Sequence, residues 1–202
     1  VSFPVMRGIP FKMIMSKPNP RITFYTNSVL KGADGRNIPF SVVREDLETG
    51  EEIGEPYSYT PSRYSTYNLY QPDTANVVAE EVLTKFYYNP ALIRYIFSYS
   101  NGIESFPKSS FSNLTYLVLF QDNIEFMPDF KKYAPSLERV DMRYQKFFNA
   151  PNHANENNLN SDGSFFDGSI QSQLLRLPVT TKYFDFRNSF EGDAKGLDLS
   201  HL

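Results

Sequence analysis

The chain has no cysteine, no tryptophan and only two histidines, and no apolar run nears the roughly 18–20 residues that a helix needs to cross a bilayer. Without cysteine it forms no disulfide and uses no thiolate chemistry. His153 and His201 lie far apart, and neither has a second His or Cys at metal-ligand spacing. Charge of one sign is lacking too: 20 Lys and Arg face 23 Asp and Glu. That balance excludes the clustered basic footprint of nucleic-acid or anionic-membrane binding. There is no Gly-x-Ser-x-Gly elbow, no phosphate-cradling glycine loop and no His-Glu-x-x-His. The adjacent carboxylates Glu51/Glu52 and Glu80/Glu81 point apart on a strand or helix, so neither is an acid/base pair. Asn158-x-Asn160-x-Asp162-Gly163 faintly echoes a calcium loop, but Ser169 stands where the closing carboxylate belongs. No enzyme activity, cofactor or metal site is expected. Aromatics are what the chain has in excess, 14 Tyr and 18 Phe, and they become the candidate contact residues below.

The most informative stretch is Leu114-Thr115-Tyr116-Leu117-Val118-Leu119-Phe120-Gln121-Asp122-Asn123-Ile124. Its apolar residues alternate, break at a polar turn at Asp122, and resume at Ile124. A short strand pointing alternate side chains inward, followed by a turn whose backbone a polar side chain satisfies, produces such spacing. Twenty-one residues earlier Ile93, Ile96, Asn101, Ile103 and Phe106 fall in the same register, with Ser98 at an apolar position. Twenty-three residues later Leu137, Val140, Met142, Gln145 and Phe147 repeat it. A weaker fourth copy lies at Thr181, Phe184, Phe186 and Ser189. These positions match the Leu-x-x-Leu-x-Leu-x-x-Asn-x-Leu pattern, and over about residues 74–202 the chain resembles leucine-rich repeat proteins of bacterial type, Bacteroides-like surface proteins among them. The closing Gly196-Leu197-Asp198-Leu199-Ser200-His201-Leu202 resembles the descending half of such a repeat. Ending on an apolar, uncapped residue, it reads as the edge of a fragment or as an end covered by another chain.

Residues 1–72 read as a small antiparallel, sandwich-like β domain, from three alternating sets: Phe11/Met13/Met15, Ile22/Phe24/Thr26 and Ile38/Phe40/Val42. Turn chemistry at 17–20, 33–35 and 48–50 separates them. Residues 73–89 read as a helix, with Val78, Val82 and Phe86 recurring every four residues and Pro90 stopping it. Placed before the first repeat, it would cap the solenoid. Residues 149–172 are Asn-rich loop chemistry, a long polar insertion within the repeats of 90–202. The expected fold is therefore mixed: an N-terminal antiparallel β domain followed by a helix-capped leucine-rich repeat solenoid with a parallel concave sheet.

The resemblance implies binding of another macromolecule on that sheet. Residues between the inward apolar positions point outward, and stacking sets equivalent positions in columns about 4.8 Å apart. One column holds Tyr95, Tyr116, Arg139 and Tyr183; the next Phe97, Val118, Asp141 and Asp185; the third Tyr99, Phe120, Arg143 and Arg187. These twelve are the candidate binding residues, since Tyr and Arg anchor protein contacts and solvated faces rarely gather so many aromatics. The competing reading has the β domain or the long loop folding over the aromatics and hiding them. The Arg and Asp columns are also readable as a cross-strand charge ladder. The expected function is a non-enzymatic recognition or adhesion module, extracellular or on a bacterial cell surface, gripping a protein or a glycan. Its alternatives are a structural component of an assembly such as a phage virion, and a scaffold appended to an enzyme domain outside this chain.

Overall fold

The computed structural model describes residues 11–15, 21–26, 34–36, 40–59, 66–70, 82–148, 159–190 and 196–202. Along them run the strands β1 (Phe11–Met15), β2 (Arg21–Thr26), β3 (Phe40–Asp46), β4 (Tyr57–Tyr59), β5 (Thr66–Tyr70), β6 (Val82–Tyr87), β7 (Ile93–Tyr99), β8 (Tyr116–Phe120), β9 (Arg139–Asp141) and β10 (Tyr183–Asp185). Two short helices, α1 (Phe130–Tyr133) and α2 (Ile170–Leu174), accompany them. The strands form a four-stranded sheet ordered β1-β6-β3-β4 and a six-stranded sheet ordered β10-β9-β8-β7-β2-β5.

This overturns the helix-capped leucine-rich repeat solenoid: the described residues build two β sheets with only two short helices. Where the cap helix was expected over 73–89, residues 82–87 form β6, antiparallel to both β1 and β3; residues 73–81 lie outside the described residues. The error has a physical source. A spacing of four, as in Val82 and Phe86, fits a helix of 3.6 residues per turn and a strand of period two equally. The deciding pattern is Thr84, Phe86 and Tyr88 buried between Leu83, Lys85 and Tyr87, and strand propensity favours the same state for Val-Leu-Thr-Lys-Phe-Tyr. The large sheet is not purely parallel either. Strands β7, β8, β9 and β10 run parallel in that order, while β2 pairs antiparallel with β7 and with β5.

The strands of 11–70 are consequently shared between the two sheets instead of closing on themselves. Alternation makes each one amphipathic: Phe11, Met13 and Met15 of β1 and Ile22, Phe24 and Thr26 of β2 are all buried. Their rings join the sheets. Phe11 stacks on Phe86 at 5.0 Å, and Phe24 meets both edge-on at 5.8 and 5.3 Å. Phe111, in the connection after β7, packs on Phe11 at 5.1 Å and so ties the small sheet to the rungs of the large one. The same core continues through Leu114, Leu117, Leu119, Leu137, Val140 and Met142.

Each parallel strand ends the same way. Ser100, Gln121, Tyr144 and Asn188 all take positive φ, between 53° and 59°, and the first three donate their backbone N–H to Phe120, Arg143 and Arg187 at 2.8, 3.0 and 3.1 Å. One residue later comes a buried polar side chain: Asn101, Asp122, Gln145 and Ser189. These satisfy the turning backbone of the preceding rung. Asp122 Oδ1 accepts from the N–H of Asn101 (3.0 Å) and Ile103 (3.2 Å), Gln145 Oε1 from Ile124 (3.2 Å), and Ser189 Oγ from Gln145 (3.1 Å). Buried backbone groups need such partners, because an unpaired one costs as much as a lost hydrogen bond. Left-handed backbone is uncommon for a residue with a Cβ. Gln121, exposed and at φ 55°, is the place to measure the cost. Gln121→Gly should raise stability by about 0.5–1 kcal/mol, the relief of left-handed strain less the added freedom of the unfolded chain, read as a shift in the urea midpoint.

Candidate functional site

The outer face of β7–β10 gathers the expected side chains in register. Tyr95 lies opposite Tyr116, Tyr116 opposite Arg139, and Arg139 opposite Tyr183; Phe97, Val118, Asp141 and Asp185 form the next row. Because in-register strands lie about 4.8 Å apart, the rings stack along the row. Tyr95 and Tyr116 have centroids 4.7 Å apart at 25°, and Tyr99 and Phe120 4.8 Å apart at 10°. Guanidinium groups extend both stacks: Arg139 lies 5.9 Å from the Tyr116 ring and 5.8 Å from the Tyr183 ring, and Arg143 lies 4.9 Å from Phe120. Tyr116 and Phe120 are thus flanked on one side by a ring and on the other by arginine, while Tyr95 and Tyr99 are each stacked on one side.

These aromatics remain accessible. Tyr99 is 53% exposed, Phe97 37% and Tyr116 36%. β2 does not fold over them; it lies beside β7 in the same sheet, with Thr23 opposite Phe97 and Tyr25 opposite Tyr95, and so widens the face. Val118 is an exception, buried among its neighbours, and offers a partner nothing. Phe184, expected inside, is 37% exposed on β10, the edge strand of its sheet. Tyr144, absent from the expected set, is half exposed and meets Phe120 edge-on at 5.2 Å. Its backbone there is left-handed, at φ 59°.

The charged half is organised within strands more than across them. Asp141 Oδ1 accepts from Arg143 Nε at 2.9 Å and its Oδ2 from Nη2 at 2.9 Å. Asp185 repeats this with Arg187, at 3.0 Å to Nε and 2.8 Å to Nη2. Residues i and i+2 share a face of a strand, and a two-pronged guanidinium matches a carboxylate. A longer contact, Arg143 Nε to Asp185 Oδ2 at 3.8 Å, is what remains of the expected cross-strand ladder. The bond to Arg187 holds the Asp185 carboxyl below the ordinary carboxylate range, and the bond to Asp141 raises Arg143. Asp185 and Arg143 therefore stay charged at physiological pH and are fixed fittings of the face.

Beyond the strand ends a groove of about 490 Å³ lies among Phe106, Ile124, Phe126 and Met127. Its lining carries both cations and anions, and Arg176 is already engaged with the Phe166 ring at 3.5 Å, Asn160 Oδ1 at 2.9 Å and the Met127 carbonyl at 2.8 Å. In the faint calcium motif, Asp162 Oδ1 accepts from the Ser164 N–H and hydroxyl at 2.9 and 2.5 Å, which makes a turn; Asn158 and His153 lie outside the described residues. No group of three or more His, Asp or Glu able to hold a metal ion, and no helix long and apolar enough to cross a membrane, occurs among the described residues. No family model matches this chain, and neither a curated protein nor a solved structure is detectably similar to it.

Proposed function

We propose that this chain is a non-enzymatic recognition module that grips a protein partner on the outer face of the six-stranded sheet. The observation that carries this reading is the pair of ring stacks, Tyr95–Tyr116 and Tyr99–Phe120, each extended by an arginine. Side chains already immobilised by stacking lose little freedom on binding, and the entropy of ordering side chains is a principal cost of association. Tyr, Phe and Arg are also the residues over-represented where protein contacts concentrate their energy.

The same geometry argues for protein over glycan. A sugar ring stacks its C–H groups on the electron-rich face of an aromatic ring, and here both faces of Tyr116 and of Phe120 are occupied by neighbours. Ring edges and exposed guanidinium groups suit side chains and backbone carbonyls. Binders selected from a displayed random peptide library should lose at least about tenfold in affinity on Phe120→Ala or Tyr99→Ala, with the circular dichroism spectrum unchanged. Binders indifferent to both substitutions, or glycan-array signals abolished by them, overturn the reading.

A further inference from the structure

The three arginines of the face are not equivalent. Arg143 and Arg187 are each clamped by the aspartate two residues before them. Arg139 is exposed and makes no ion pair among the described residues; the nearest acidic neighbour in sequence, Glu138, instead faces Lys182 at 3.5 Å. Its guanidinium carbon lies 5.9 Å from the Tyr116 ring and 5.8 Å from the Tyr183 ring, the residues opposite it on either side. An exposed guanidinium flanked by rings and paired with no carboxylate keeps its forked N–H groups for two parallel hydrogen bonds to an oxyanion.

We infer that Arg139 is the polar anchor of this face and receives a side-chain carboxylate, an Asp or Glu that the protein partner presents beside an apolar or aromatic residue; this rests on the proposed recognition role. Charge complementarity selects the partner group. The unbalanced charge in this row is a single positive one, flanked by Tyr95, Tyr116 and Tyr183. The next row holds Asp141 and Asp185, about 6.6 Å farther along the strands at the ordinary rise per residue. Because Asp141 and Asp185 are balanced by Arg143 and Arg187, one net positive charge is left; it matches a single carboxylate, whereas a dianionic phosphate is usually received by an arginine cluster. The apolar neighbours partly exclude water and so strengthen the pair relative to an exposed surface ion pair.

The test uses the full chain and a phage-displayed library of random linear peptides. Enriched sequences should carry Asp or Glu next to an aromatic or aliphatic residue. A synthetic peptide from that set, measured by fluorescence anisotropy, should bind at least about tenfold more weakly to Arg139→Gln, and show no further loss when its own acid is also made an amide. Lys131→Gln, which removes an exposed cation on α1 outside the sheet, should change affinity by less than about threefold, and phosphoserine in place of the acid should weaken binding. Peptides that need Phe120 yet are neutral, indifferent to Arg139, or tightened by phosphoserine overturn the carboxylate inference and leave the face reading standing. Peptides indifferent to Phe120 and Tyr99, or a library yielding no binder, remove the face reading itself.

Discussion

Replacing Phe24 by alanine should destabilise the entire protein by on the order of 3–5 kcal/mol, the range for deleting a buried aromatic ring, and should do so in one cooperative transition. Phe24 belongs to β2 of the six-stranded sheet, but its ring is fully buried against Phe11 and Phe86 of the four-stranded one. Phe11 also packs on Phe111 in the connection between the parallel rungs. A cavity there removes contacts from both sheets at once, and close-packed surroundings relax only in part. If residues 11–70 instead formed an independent unit, the substitution would melt that unit and spare the rungs. Hydrogen exchange of the β8 and β9 amides in the Phe24→Ala variant separates the outcomes: loss of their protection in step with β1 and β6 supports one unit, and retained protection refutes it.

Asp122→Asn should make the protein more stable at neutral pH and equally stable in acid. Asp122 is 1% exposed, and burial pushes its carboxyl up to about 6 against the pull of the Ile103 and Asn101 N–H groups. Its Oδ2 has no hydrogen-bond partner among the described residues. With a folded pKa above the unfolded one, the neutral acid is the form that folding favours. Its contribution is complete below about pH 4 and is lost as pH rises through about 6. A gap of roughly two units corresponds to a loss on the order of 2–3 kcal/mol above that window. Asparagine keeps the acceptor for both N–H groups and never ionises. Urea denaturation should therefore give nearly coincident midpoints at pH 4 and a more stable variant at pH 7.5. The carboxylates Asp46, Asp162 and Asp198, whose pKa values are lowered by local hydrogen bonds, shift both proteins alike and cancel in the difference. A stability difference independent of pH would show that Asp122 ionises without cost.

Much of the candidate site was legible because it depends on local periodicity. The spacing from Ile93 through Leu114 to Leu137 brought Tyr95, Tyr116 and Arg139 into one row, and the rungs need similar chain lengths to lie side by side. Polar residues at the turns were recognisable by type, but not by target: Asp122 and Gln145 reach sideways to Asn101, Ile103 and Ile124 of other segments. Val118 looked as outward as Phe97, yet it is buried, since a small side chain between large stacked ones is covered by them. Tyr144 is readable as outward from its place in the repeat, with Ser100, Gln121 and Asn188, yet it stands outside the twelve candidates; the left-handed backbone angle that brings it against Phe120 is a property of the folded turn. The helix over 73–89 failed where one spacing served two periods.

By itself, the order of residues determined which side chains alternate in and out, where each rung turns, and that the outward set would be rich in Tyr, Phe and Arg, because those properties follow from strand geometry and turn chemistry over a few residues. Only the tertiary structure decided that β2 and β5 extend the large sheet, that β6 is a strand shared by two neighbours, and that Arg143 and Arg187 are neutralised while Arg139 is left open. Strand partners far apart in sequence are chosen by which apolar faces can be buried together, and an ion pair by which carboxylate the finished backbone brings within reach; neither distance exists until the chain has folded.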